Sequence, residues 1–396
     1  SPIVVTLLGL ALIAGPTGKC AQFPLHLWLD EAMEGPNPAS ILRNSAVVTC
    51  GAYVLIRLQP IVVLSPVTLT ALTTIGTLTA VGASLVALAQ VDLKRTLSYS
   101  TSAYLGLVFL AVGMEWPGVA ISILLTHAVA KALIFMSVGS IIMATNNQNL
   151  TEMGGLGPKM PATSFAFAAG ALSMIGLLPL GCFWGMRMGI DFLSQDAPLL
   201  AGIFLVVNLL TAVNLTRVFR LVFLGPTQPK TRRAPEAPWQ MAVPMVTLSI
   251  FNLLVPAIMG ELDLLPTWEY LNLPVTLVLI LSGAIGVALG MAIPLSKSLA
   301  RSTQRTLRIA QDILAYDFYT ERLYRLTVVA AVGGFAKLIN WFDRYVVDGL
   351  VNAVGLASLM GGESLKYSIP GQSQVYLLTI MVGVSLLGIF MTWTLW

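Results

Sequence analysis

Long apolar runs separated by short polar breaks fill most of the chain. About 20 apolar residues cross the hydrocarbon core of a bilayer as a helix. The runs of this kind are Pro2–Gly15, Phe23–Ala32 (short), Ser40–Leu58, Val67–Ala89, Thr96–Met114, Gly118–Ala144, Thr163–Trp184, Leu199–Leu224, Val243–Met259, Pro274–Ile293 and Gln374–Phe390. They predict roughly ten crossings, each a helix, because lipid offers no partner to open backbone groups. Two runs carry a break. The first runs into Gly15-Pro16-Thr17-Gly18-Lys19 and resumes at Phe23-Pro24; the second is Leu178-Pro179-Leu180-Gly181, followed by Phe183, Trp184 and Arg187. Paired interrupted helices with a buried cation point to an ion path.

The pattern changes after Pro294. Residues Ser296–Ile369 contain no proline, whereas the other 322 residues hold all 22. The same 74 residues hold 15 of the 40 charges, mixed with apolar positions at helical spacing, as in Ile313-Leu314-Ala315-Tyr316-Asp317-Phe318. This predicts a long amphipathic helix with a break near Gly333-Gly334, lying along the membrane because its charges forbid spanning. Gln374–Phe390 then returns to the bilayer as an anchor.

Composition narrows the class. Charged residues make up 10% of the 396 and hydrophobic residues 56%, with mean hydropathy +0.83. A soluble domain averages about 25% charged, so a soluble enzyme and a disordered chain are excluded. The net charge of +4 is too dilute for a phosphate footprint, which excludes a nucleic-acid binder. Cys20, Cys50 and Cys182 are scattered in apolar runs, and with two histidines they cannot close a zinc site. The fold class is an all-α polytopic membrane protein.

Few ionisable residues sit in the apolar runs, where each costs about 2.5–3.5 kcal/mol on insertion scales. Lys19 lies in the first break, and Arg43 heads a run beside Asn44. His127 and Lys131 lie four apart on one helix face, and Arg187 follows the second break. Lysine and histidine in a water-poor interior can hand on protons at modest driving force. The competing reading of each is a cation that reaches out to the headgroups. That reading is favoured for Arg217 and Arg220, ahead of the basic loop with Lys230, Arg232 and Arg233. His26, near Trp28, reads as interfacial; Asp30, Glu31, Glu34 and Asp92 read as loop charges, with Glu34 able to accept a proton.

Several of these stretches resemble the antiporter-like subunits of complex I. They are Gly18-Lys19-Cys20-Ala21-Gln22-Phe23-Pro24-Leu25-His26-Leu27-Trp28-Leu29 with Asp30-Glu31-Ala32-Met33-Glu34-Gly35-Pro36, Asp92-Leu93-Lys94-Arg95-Thr96-Leu97-Ser98-Tyr99-Ser100-Thr101, Thr126-His127-Ala128 with Lys131-Ala132-Leu133, and Met153-Gly154-Gly155-Leu156. The long helix and its anchor resemble the distal NuoL/NdhF branch, and Trp341-Phe342-Asp343-Arg344-Tyr345 resembles its photosynthetic NdhF version. The resemblance implies an antiporter-like helix bundle with broken helices, and about six helices ahead of Ser1. It divides the chain into a proton-translocation core at 1–225, additional transmembrane helices at 226–295, a lateral helix at 296–369 and an anchor at 370–396. It implies that Lys19 is the broken-helix lysine and that His127 and Lys131 are the central relay.

Three departures mark this chain. Ser40-Ile41-Leu42-Arg43-Asn44 has Asn44 where the family keeps a histidine, with a new arginine before it; Ile123 replaces a second central histidine. Gly185-Met186-Arg187-Met188 replaces the exit lysine by Met186 and returns a cation at Arg187. Arginine hardly ever deprotonates. This combination resembles the NdhF paralogue of cyanobacterial carbon-dioxide-uptake complexes. The expected function is the distal proton-translocating subunit of a thylakoid NAD(P)H-quinone oxidoreductase, coupled to carbon dioxide hydration, with Lys19, Arg43, His127, Lys131 and Arg187 as its site. No cofactor is expected in this chain, with quinone and iron–sulfur clusters in other subunits. Expected partners are NdhD-like and NdhB-like membrane-arm neighbours along the lateral helix, a soluble hydration protein and the lipid bilayer. An Mrp-type cation/proton antiporter subunit and a degenerate scaffold docking a hydration module remain as rival readings.

Overall fold

The computed structural model describes residues 1–265, 272–292, 304–369 and 371–395. Ile293, the first eight residues of the Ser296–Ile369 segment, and Pro370 and Trp396 of the anchor lie outside the described residues. Every named element is helical. They are α1 (Pro2–Lys19), α2 (Leu27–Glu31), α3 (Asn37–Leu42), α4 (Val48–Val62), α5 (Pro66–Ala89), α6 (Leu93–Gly113), α7 (Pro117–Thr145), α8 (Pro161–Met174), α9 (Cys182–Asp196), α10 (Pro198–Phe219), α11 (Trp239–Glu261), α12 (Leu273–Ala292), α13 (Gln304–Ala315), α14 (Thr320–Tyr324), α15 (Ala330–Phe342), α16 (Asp348–Ser368) and α17 (Ser373–Thr394). A π turn at Arg43–Val47 joins α3 to α4, and another at Arg220–Leu224 extends α10. Two compact units result, Ser1–Thr320 and Glu321–Trp396.

The local chemistry sets the helix ends. Pro2, Pro66, Pro117, Pro161 and Pro198 open their helices, where the missing N–H costs nothing. The Ser65 hydroxyl accepts from Thr68 N at the start of α5, and the Asp92 carboxylate accepts from Lys94 N and Arg95 N at the start of α6. α7 closes on Asn146 in the left-handed conformation.

Within the first unit α6 is the axis of the core, buried at every residue but Arg95. It packs against α5 backbone to backbone. A Cβ at Gly106 would stand 2.7 Å from Ala80 N and Gly76 O, so only glycine permits this approach. Buried apolar side chains of α5, α6, α7, α9 and α10 fill one continuous core.

Two expected features differ. The short run Phe23–Ala32 holds α2 and a 3₁₀ turn at Ala32–Glu34, and its five-residue helix rises about 7 Å, far short of a crossing. Pro16 does not end α1, which continues to Lys19; the Thr17 hydroxyl donates to the Ile13 carbonyl at 2.7 Å, and the backbone turns away after it. There Trp28 Nε1 donates to the Gly18 carbonyl at 2.8 Å, and the Gln22 amide donates to the carbonyls of Cys20 and Ser102. The second break falls as expected. α8 stops at Met174 and α9 starts at Cys182, with Gly181 at φ +22, where a Cβ would meet Ser173 Oγ. Asn208 of α10 fills this gap: its Oδ1 accepts from Gly176 N at 2.7 Å, and its Nδ2 donates to Ser282 Oγ and the Leu279 carbonyl.

The amphipathic segment breaks earlier than expected. α13 ends at Ala315, and Asp317, Phe318 and Tyr319 all take positive φ. The backbone is then helical from Thr320 to Ser368 through Gly333 and Gly334, with π turns at Arg325–Val329 and Asp343–Val347. Buried in tertiary contacts, Asp317 outweighs two glycines on an exposed helix. In the second unit no described side chain is buried. Its long helix covers about 70 Å at 1.5 Å per residue, more than twice a bilayer core.

Candidate functional site

His127 and Lys131 face the core from the middle of α7, both fully buried. Lys131 Nζ donates to the Leu97 carbonyl of α6 at 2.9 Å. The His127 ring stacks on Tyr104 of α6, centroids 5.5 Å apart and planes at 20°, and neither ring nitrogen has a hydrogen-bond partner. The Tyr104 hydroxyl donates to the Met174 carbonyl, one of those freed by the α8–α9 break. On the far side of the break, Cys182 Sγ lies 3.2 Å from Thr126 Oγ1, one residue before His127. The central pair, the aromatic ring and the second break therefore form one polar cluster inside an apolar bundle. Charges and neutral bases set this close in a low-dielectric interior influence each other strongly.

The other expected residues lie apart from this pair. Lys19, expected inside a broken membrane helix, is exposed at the end of α1, its Cβ and Cγ against Gly51 of α4. α1 packs on α4 and α5, and the stem of Lys19 lies along α4 while the residue as a whole stays exposed. Arg43, in the π turn, donates to the Ala32 carbonyl at 2.5 Å, so it ties down a loop and does not reach for headgroups. Neither residue shares a described hydrogen bond or ion pair with His127 or Lys131. Arg187 is buried on α9, with its guanidinium 3.8 Å from Asp191 one turn on; Asp191 Oδ1 also accepts from Asn272 at 2.7 Å. Asp191 thus supplies an acid to the Arg187 cation at i+4. Met186 is fully buried and apolar.

Several polar residues prove to matter that sequence reading placed at the surface. Arg217 is buried and donates to the carbonyls of Leu88 and Gln90, at the C-terminal end of α5, so it caps a helix and does not snorkel. Arg220 donates to the Met291 carbonyl. His26, expected at an interface, is buried, and its Nε2 lies 2.6 Å from Asp317 Oδ2. The loop at 30–35 is held by three cations. Lys94 donates to the carbonyls of Met33 and Gly35, Arg95 pairs with Asp30 and Glu34, and Arg43 takes Ala32. Burial pushes the Asp30 carboxyl up to about 6, against the opposing charge of Arg95 and with the help of nearby Asp317. Glu34, exposed and paired with Arg95, is part of this clamp. The i,i+4 spacing of Arg187 and Asp191 was visible in the sequence; the long-range partners of Arg217, His26 and Lys94 were not. No group of His, Cys, Asp and Glu able to hold a metal occurs among the described residues.

Comparison with known proteins identifies the lineage. Residues 1–212 match the family described as NADH:quinone oxidoreductase/Mrp antiporter, TM. The chain is 53% identical over 393 residues to "NAD(P)H-quinone oxidoreductase subunit 5, organellar chromatophore 2" of Paulinella chromatophora, covering 99% of this chain and 64% of the relative. To "NAD(P)H-quinone oxidoreductase subunit 5, organellar chromatophore 1" of the same organism it is 32% identical over 432 residues, covering 96% of this chain and 65% of the relative. The chain therefore spans under two thirds of the length of these relatives. Among solved structures, that of the Mrp complex from Dietzia sp. DQ12-45-1b superposes with a TM-score of 0.58 at 20% identity, over 72% of this chain and 61% of that one, which shows a shared fold. With more than half its length matched and the antiporter-like helix bundle in place, the chain belongs to the NADH:quinone oxidoreductase/Mrp antiporter transmembrane family.

Proposed function

We propose that the chain is the distal proton-translocating subunit of a photosynthetic NAD(P)H-quinone oxidoreductase, coupling quinone reduction elsewhere in the complex to proton movement. The observation that carries this reading is the pair His127 and Lys131. A lysine fully buried on one backbone acceptor, beside a histidine with two unpartnered nitrogens, is expensive and suits groups that exchange protons with transient water. Quinone and iron–sulfur chemistry belong to other subunits in this reading, and the chain itself carries no cofactor. Lys131→Met keeps the volume and removes the titratable group. It should abolish coupled proton movement in membrane vesicles while the complex assembles. Wild-type pumping by an assembled variant would sink the reading. Assembly with other antiporter subunits, and no co-purifying quinone-reducing complex, would favour an Mrp-type antiporter subunit instead.

The polarity of the bundle supports an orientation. Lys94, Arg95, Lys159, Lys230, Arg232 and Arg233 lie at the end where the loops at 146–160 and 225–238 meet, tied by Lys159 to Thr231 and by Lys230 to Glu152. The opposite end, marked by the Asn272–Asp191 contact, carries Glu115, Asp191, Asp196, Glu261 and Asp263 among the described residues. An excess of Lys and Arg marks the cytoplasmic or stromal side. The relatives, named for chromatophores, fit a thylakoid-type membrane.

The finer reading is a carbon-dioxide-uptake paralogue, with a soluble hydration protein over the Arg43 face. Its support is the replacement of titratable family positions by Asn44, Ile123 and Met186, and the fixed cations Arg43 and Arg187. A fixed cation favours loss of protons from neighbouring water and attracts bicarbonate. The double variant Arg43→Ile with Asn44→His should lose carbon dioxide uptake with quinone reduction intact. Uptake equal to wild type would leave Arg43 as a loop clamp alone.

A further inference from the structure

The buried Met186 leaves open where protons from the central pair go. A second line of polar side chains starts at the same pair and runs along α6 and α10. Tyr104, stacked on His127, has Thr211 of α10 as a polar neighbour of its hydroxyl. Thr211 borders a narrow cleft with Ser84, Ser100 and Asn214, whose other walls are Ala87 and Leu210. Asn214 Oδ1 is held 3.0 Å from Thr96 Oγ1, and one turn further along α10 stands Arg217, bound to the carbonyls of Leu88 and Gln90 at the basic end of the bundle. Three atoms along this line are buried without a hydrogen-bond partner: Ser100 Oγ, Asn214 Nδ2 and Arg217 Nε. Buried polar groups are nearly always satisfied, so three orphans in one row require an explanation. The cleft is too narrow to admit a water molecule in this conformation.

We propose that Tyr104, Thr211, Ser100 and Asn214 form a limb of the proton path between His127 and the basic end of the bundle, shut in this conformation and conducting when side-chain rotation lets water in. The proposal rests on the proton-translocation reading above. A hydroxyl accepts one hydrogen bond while donating another, so it passes a proton along a water file and returns to neutral. An amide cannot relay a proton, but Asn214, its oxygen fixed by Thr96, offers its NH₂ to orient a water in the cleft. Arg217, held by the Leu88 and Gln90 carbonyls, marks where this line meets the basic end. Tyr104, Thr211, Ser100 and Asn214 are positioning residues here; the titrating groups remain His127 and Lys131.

The test uses the assembled complex in membrane vesicles and reads protons moved per quinone reduced. Asn214→Leu fills the cleft with an apolar side chain, and Asn214→Ser keeps it polar. The Leu variant should lose as large a fraction of the proton-to-quinone ratio as Lys131→Met, and the Ser variant, which puts a hydroxyl in place of the amide, should retain part of the ratio that the Leu variant loses. If Asn214→Leu does not assemble, Ser100→Val closes the cleft from the α6 side and should show the same loss. A wild-type ratio in an assembled cleft-filling variant overturns the proposal. Equal loss in the Leu and Ser variants also overturns it, since a polar group in the cleft would then give no advantage over an apolar one. If Lys131→Met itself pumps normally, the proton-translocation reading fails, a separate outcome from failure of this limb.

Discussion

At the scale of single residues, the buried cations sort by what their surroundings let them do. Arg217 is held by two carbonyls at a helix end, and Lys94 reaches two carbonyls of the loop at 30–35. Lys131 has one acceptor and a neighbour with none, so it alone of the three is free to exchange partners. Asp30 shows the same logic in an acid outside the membrane-spanning helices. Its folded-state value of about 6 lies above the ordinary 3.8, so folding favours the neutral form. Stability is fully present below pH 4, is lost as pH rises through 6 and stays lost above it. Asp30→Asn should therefore stabilise the complex at pH 8 by about 2 kcal/mol, after allowing for partial exposure and for the lost Arg95 pair. Thermal denaturation midpoints measured from pH 4 to pH 8 check this, and a gain that does not shrink toward pH 4 would show that charge is not the cause.

At the scale of elements, the α5–α6 contact and the two breaks do the positioning. Without an apolar driving force between helices in lipid, close backbone approach through small residues holds them together. Gly106→Val puts a branched side chain where the first carbon already meets the backbone of Ala80 and Gly76. Overpacking of this kind costs about 1–3 kcal/mol, and here it would displace the helix that carries Leu97 and Tyr104. The variant should lower both the amount of subunit in the membrane and the proton-to-quinone ratio. Unchanged levels and an unchanged ratio would show that α6 has slack. The second break works differently. It frees carbonyls such as that of Met174, and the structure spends them on Tyr104 while Asn208 satisfies the amide side.

At the scale of the molecule, the second unit stands out because its helices bury nothing within it. Leu326, Val332, Phe335, Leu338 and Leu350 are all more than half exposed. A helix of that length cannot cross a bilayer once, and an apolar stripe without a partner in its own unit calls for lipid or neighbouring subunits. The reading as a clamp along NdhD-like and NdhB-like neighbours predicts that deletion from Ser302 onward releases the subunit from the membrane arm. Native gel electrophoresis of solubilised membranes would show it. Normal assembly of the truncated chain would mean that the helix clamps nothing.

What sequence alone determined follows from one-dimensional rules. The bilayer imposes helices about 20 residues long, so the spans from Ser40 to Leu224, the second interruption and the mid-helix pair His127 and Lys131 could be read from periodicity and from the cost of a charge in lipid. Motifs carried the family on the same residues. Tertiary structure decided everything that depends on a partner far along the chain. His26 meets Asp317 across 291 positions, Arg217 meets Leu88 across 129, and Tyr104 meets Met174 across 70. No local pattern encodes such distances. The fate of a polar side chain in a membrane bundle depends on whether a carbonyl, a carboxylate or lipid waits at its tip, and only the packing of α5, α6, α7 and α10 settles that.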